Sequence, residues 1–256
     1  MDNESKRLLE RYSLAYATYL GDFFQRKNPN LPAKALLCIA NPADKPGGGA
    51  NPRTDIAPLP FARQEGEAIS HLFSPMNSAL LSGPAADSDT VRKQMESYAI
   101  LHFAAPGQAD AGSGMQSFLA LAAPHGSEER FGALHARDIL GMSLSARMVV
   151  LSAFPLAQES IPRGVGLMGL VWAFQAAGCP CVVTSQWIVN DRARSDLMLA
   201  FYQQLKEGKP KDEALQIAML GVMRAKNPEY AAPYYWAAFQ IIGDTSSLTL
   251  NGFAPR

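Results

Sequence analysis

The chain has little of what marks several protein classes. It carries three cysteines in 256 residues, Cys38, Cys179 and Cys181, each inside an apolar run. That odd, buried-looking set argues for reduced thiols and against a disulfide framework. There is no excess of charge, since 23 Lys and Arg face 23 Asp and Glu. No overall field therefore draws the protein to nucleic acid or to an anionic membrane. No apolar run reaches the roughly 18 residues of a membrane span. The opening MDNESKRLLERY lacks both a signal-peptide apolar core and an Arg-rich, acid-poor transit composition. These absences lead to an expectation of a soluble cytoplasmic protein with no nucleic-acid and no membrane partner. No metal and no cofactor is expected. The Gly-rich segment 43–60 lacks the Lys and Ser or Thr of a phosphate loop and reads as surface loop. Cys179 and Cys181, two apart on one expected strand face, have no second pair or nearby His to complete a metal site and read as small core hydrophobes.

What is present is a 48% hydrophobic composition, enough for a sizeable core, arranged as alternating strands and helices. Continuous apolar runs at 35–42, 99–107, 147–156 and 181–187 read as buried parallel strands, with a short strand at ALLS between the first two. Helical spacing marks 61–73, with Ile69, Leu72 and Phe73 on one face and charges opposite. It also marks a segment capped by Ser88 or Asp89, with Val91, Met95 and Tyr98 in register. Further helices fit 134–142 and 164–178, where Leu167, Leu170, Val171 and Phe174 form a stripe and Gly178 a stop. Two more fit 191–206 and 211–225, the latter with Leu215, Ala218, Met219 and Val222 inward. The aromatic stretch 233–244 reads as a closing strand. Near the amino terminus, a short strand and a helix capped near Thr18 are expected. The class is α/β with a mainly parallel sheet between helical layers.

Two strands run straight into Pro or Gly, at LHFAAPG (101–107) and VVLSAFPL (149–156). Parallel α/β folds place their working groups at such carboxyl ends. These two stretches resemble the LHxATHG and VVLSACET elements of the CHAT proteases, caspase-like cysteine peptidases related to separases. LPFARQEGEA, GVGLMGLVWAFQAAG, TSQWIVND and PYYWAAFQIIGD are similar to four further elements of that family in the same order. The resemblance implies a caspase-like three-layer α/β/α sandwich. It implies one domain over 1–256: an N-terminal strand and helix segment at 1–31, a core at 32–244 and a tail at 245–256. It also implies that family members carry further strands ahead of RYSLAYA, often after helical repeats.

In the family pattern the second His of the first motif is the base and the Cys of the second is the nucleophile. Those roles fall here on Pro106 and Phe154. A cysteine peptidase needs a thiolate and a neighbouring imidazole, and neither ring can serve. The Glu and Thr after the nucleophile are replaced by Pro155 and Leu156, and Pro155 has no amide hydrogen to offer an oxyanion. The expectation is a pseudo-peptidase working as scaffold or regulator, with a protein or peptide segment, or an active homologue, as partner. Gly107, Asp191 and Trp187 are the residues expected at a surviving groove. In the family the acids after SLWxV lie near the substrate pocket; here the first is Asn190, and Asp191 could instead cap a helix. Trp187 and Trp236 read as core aromatics unless Trp187 walls the groove. The alternative is an active hydrolase or cysteine peptidase with relocated groups drawn from Cys181, Ser152 or His102. A third reading is an assembly domain with no groove. His102 reads as a buried, hydrogen-bonded structural histidine, Ser152 as an ordinary strand serine, and His125 and His135 as solvated.

Overall fold

The computed structural model describes residues 7–18, 34–40, 59–73, 77–110, 112–127, 131–155 and 165–248, with backbone alone at 154–155 and 165–168. The 43–60 loop up to residue 58, the helix expected after Thr18 and the end of the tail from 249 lie outside the described residues.

Six strands form the central sheet: β1 (Lys34–Ala40), β2 (Ser78–Ser82), β3 (Tyr98–Ala104), β7 (Met148–Pro155), β8 (Cys181–Ser185) and β9 (Phe239–Gly243), in the order β2-β1-β3-β7-β8-β9. All neighbours run parallel except β8 and β9. A parallel sheet is covered on both faces, so its strands are apolar on both sides. β1 shows why KALLCIA qualifies: Leu36 and Cys38 enter one core cluster while Leu37 and Ile39 enter the other. The first cluster is closed by α1 (Ala62–Ser70), α5 (Asp191–Lys206), α6 (Lys211–Met223) and the short α7 (Pro233–Trp236). The second is closed by α2 (Ser88–Met95), α3 (Ala136–Leu140) and α4 (Val165–Ala176). The result is the expected α/β/α sandwich. A small antiparallel sheet of β4 (Gly107–Gln108), β5 (Phe118–Leu121) and β6 (Gly132–His135) sits beyond the end of β3.

Several local expectations are corrected. Residues 233–244 are not one strand: Pro at the first helical position turns 233–236 into a helix before β9 begins. The cap of α2 is Asp87, one residue earlier than expected, whose carboxylate accepts from the amides of Asp89 and Thr90. Cys179 lies ahead of β8, so it packs into the α4 layer while Cys181 faces the α5 layer. Near the amino terminus a 3-10 turn (Leu8–Glu10) leads into an extended strap that makes a single parallel bridge from Tyr16 to Ile242.

α4 ends where expected, with Gly178 at φ 114°, a conformation that strains any residue bearing a Cβ. At its other end, a Cβ on Gly169 would come within 1.9 Å of the Gly114 carbonyl oxygen. The helix can approach the 3-10 turn before β5 only because that position is bare.

Candidate functional site

β3 and β7 are direct neighbours, and the last registered pair between them is Phe103 with Leu151. Pro106 and Phe154 each lie three residues beyond that pair, which brings their backbones out at the same end of adjacent strands. Pro106 is half-buried, and its carbonyl accepts from the Ala120 amide at 2.8 Å, tying the end of β3 to the small sheet. β7 is irregular at the corresponding place: Leu151 pairs with Thr184, yet Pro155 pairs with the very next residue, Ser185. Ser152, Ala153 and Phe154 are therefore extra residues on one side of the ladder, a bulge of the kind that re-aims a strand end. Gly107 begins β4 and pairs with Leu119.

Directly beneath these ends lies a polar cluster that the sequence reading did not assemble. Glu65 of α1, fully buried, accepts from Ser152 Oγ at 2.6 Å and from Arg194 Nε at 3.2 Å, and lies 2.9 Å from His102 Nε2. A carboxylate only accepts, so Nε2 carries the hydrogen directed at Glu65, and Nδ1 lies 3.1 Å from Tyr202 Oη. Tyr202 also packs edge-on against the His102 ring. Arg194 continues the chain to Asp191 by an ion pair, and Asp191 Oδ2 accepts from the Phe61 amide at 2.7 Å. Four elements, α1, β3, β7 and α5, are thus joined through Glu65, and a second carboxylate, Asp191, adds the turn before α1. Burial pushes the Glu65 carboxyl up, but the Arg194 guanidinium and the His102 and Ser152 bonds override it and hold it down at about 2.

Glu65 was expected on the polar face of its helix. Ala62, Glu65, Gly66 and Ile69 are the buried residues of α1, an i, i+3, i+4, i+7 stripe. The signal was available in that spacing. A charged residue inside an inward stripe, beside a glycine whose added Cβ would sit 2.9 Å from Ala40 Cβ, requires a partner.

The other singled-out residues fall as follows. His102 is a buried histidine with both ring nitrogens engaged, and Ser152 is committed to Glu65. All three thiols are buried, and burial pushes each up, Cys181 to about 12. That is opposite in direction to an activated thiol. His125 is exposed; His135, the last residue of β6, stands just before α3, with Nδ1 3.1 Å from the Gln116 carbonyl oxygen. Asn190, not Asp191, caps α5, accepting from the Ala193 amide. Trp187 is half-buried and donates from Nε1 to the Tyr234 carbonyl at 3.0 Å, whereas Trp236 is buried in the core. Among the described residues no three His, Cys, Asp or Glu side chains converge as a metal site, and no helix is long and apolar enough to cross a membrane.

A family model for the CHAT domain matches residues 1–244. Tetratricopeptide repeat protein 28 of mouse is 36% identical over 118 residues, 46% of this chain and 5% of that protein. The human protein of the same name is 35% identical over the same share. The chain thus spans a small part of these relatives. Among solved structures, the Arg-specific cysteine proteinase gingipain R superposes with a TM-score of 0.52 at 11% identity, covering 85% of this chain and 48% of that one. Separase in the Saccharomyces cerevisiae separase–securin complex gives 0.53 at 14% identity, covering 86% and 12%. At such identities the likeness speaks to fold, which is that of the caspase-like cysteine proteases. With its model match running from residue 1 to the end of β9, the chain belongs to the CHAT domain family.

Proposed function

We propose that this chain is a pseudo-peptidase, a CHAT domain that works by holding a protein or peptide segment, as scaffold or regulator, and cleaves nothing. The observation that carries the reading is the pair Pro106 and Phe154, each three residues past the last registered pair of the neighbouring strands β3 and β7, on which the family resemblance puts base and nucleophile. Proline offers no proton acceptor and phenylalanine no nucleophile. Relocated chemistry finds little to use: the thiols are inward with raised pKa, and Ser152 and His102 both spend their polar atoms within the Glu65 cluster.

The same geometry bears on what the groove would hold. A free carboxylate at Asp191 would favour a basic side chain, but both its oxygens already face donors, the Phe61 amide and Arg194. Recognition at the groove then falls to Trp187 and the backbone around Gly107 rather than to a charge. The test is labelling of the folded chain with peptidyl thiol-directed probes and with fluorophosphonates. No adduct is expected on any Cys or Ser. A stoichiometric adduct formed by the folded chain and lost on unfolding would overturn the reading.

A further inference from the structure

The amino-terminal strap does not lie flat on its neighbours. Leu9 packs into the core, its carbonyl accepts from Gln216 Nε2 at 2.6 Å, Ser13 Oγ donates to Asp212 Oδ2 at 2.7 Å, and Tyr16 bridges the outer edge of β9. Between the strap, α6 and the start of β9 a cleft of about 110 Å³ remains. Its floor is apolar, formed by Leu215, Met219, Trp236 and Phe239. One wall is polar: Gln186 Nε2 donates to Gln240 Oε1 at 3.0 Å, and Gln240 is only 7% exposed.

That amide pair carries the argument. A primary amide has one carbonyl oxygen and one NH2 group, so joining two of them leaves one of each unspent, whichever way the amides are turned. Among the described residues no further hydrogen bond forms to either side chain. One leftover acceptor and one leftover donor beside each other complement the N–H and C=O of a peptide main chain. The cavity is far below the 300 to 1,000 Å³ or so of a cofactor pocket. An apolar cavity of about 150 Å³ holds a benzene ring, so this one suits a single branched aliphatic side chain. The strap adds a covering surface: Tyr12, Leu14 and Tyr16 are 60%, 38% and 49% exposed, an alternating apolar row beside the cleft. Tyr16 also shows that this edge of β9 accepts an extended chain.

We infer that the cleft under the strap is a second recognition site, which takes an extended peptide of a partner protein by one leucine-like side chain with its main chain read by Gln186 and Gln240. Gln186 directly follows Ser185, which pairs with Pro155 of β7 and Phe239 of β9, so the cleft lies at the same end of the sheet on its β9 side, and it does not depend on whether the chain has catalysis. The probe is N-acetyl-leucine methylamide, titrated into the full chain while the Trp236 indole and the Gln186 and Gln240 side-chain amides are followed by heteronuclear NMR. Saturable shifts confined to the cleft are expected, with the alanine analogue binding at least about tenfold more weakly. Ala237→Leu, which fills the cleft from its lining, should abolish the shifts. Gln186→Leu, the second variant should the first fail to fold, should weaken them about tenfold through loss of the amide pair. Absence of saturable shifts, equal response to both analogues, or undiminished binding in a folded variant would overturn the site. So would shifts that follow protein rather than probe concentration, which would assign the cleft to a second copy of the chain.

Discussion

β3 and β7 each carry a buried polar side chain and, at the strand end, a ring where the family resemblance puts a reactive group. On β3, His102 sits in the core and Pro106 follows four residues later; on β7, Ser152 sits in the core and Phe154 follows two later. The inner pair is bound to Glu65 and through it to Arg194, and His102 also meets Tyr202, so both lead to α5. The outer pair has no titratable atom. The inner pair is thus tied by its side chains into the packing of the fold. A buried carboxylate facing a buried guanidinium cannot lose a partner cheaply, whereas a group at a strand end owes its identity to chemistry performed there.

The sharpest way to break this contrast is Glu65→Ala. It leaves Arg194 and His102 buried without their anion, and about 3 to 5 kcal/mol of stability should be lost in urea unfolding. An unchanged midpoint would mean that the cluster is not what joins the elements. The pH dependence should point to the same residue. The Glu65 carboxyl is held at about 2 in the folded chain, below its ordinary value of 4.5. A depressed folded pKa gives stability that is fully present above about pH 4.5 and lost as pH falls through 2. Linkage puts this contribution at about 3 kcal/mol. Acid unfolding followed by circular dichroism should show this loss, and Glu65→Gln should remove its share of the slope.

Smaller effects complete the series. Ser152→Ala deletes one charge-assisted bond and leaves Glu65 with its other partners, so a loss of about 1.5 to 3 kcal/mol is expected from chemical denaturation. Pro106→His, on the neighbouring strand and at the strand end, should cost under about 1 kcal/mol, the scale of a proline's effect on the unfolded chain. If the strand-end change proved the more damaging of the two, the division between a structural inner pair and a dispensable outer pair would fail.

What the sequence made legible follows from how each signal is written. β1 and β8 are continuous apolar runs because both faces are covered, and they were placed within a residue or two. α5 and α6 carry strong helical periodicity and begin where expected. The positions Pro106 and Phe154 were readable because motif order fixes them, and the register of β3 on β7 brings them to adjacent strand ends. The Glu65 cluster was harder. Its members come from four segments as far apart as residues 65 and 202, and each alone looks ordinary: a helical glutamate, a strand serine, an arginine near a helix start. Only packing brings them together. The strap's docking was not legible for a related reason, since its place is set by β9 and α6, contacts more than 190 residues away in sequence. The break at 233–236 was missed because aromatic residues suggest a strand, while the deciding features, Pro233 and the Trp236 anchor in the core, belong to a helical turn.

The central claim is that the peptidase framework persists with its chemistry removed. Its most direct test is incubation of the purified full chain with a broad peptide library, followed by mass spectrometry for new chain ends. The account predicts none above the buffer control at any pH at which the chain is folded. Saturable cleavage that copurifies with the chain and is abolished by a substitution at the ends of β3 or β7 would contradict it.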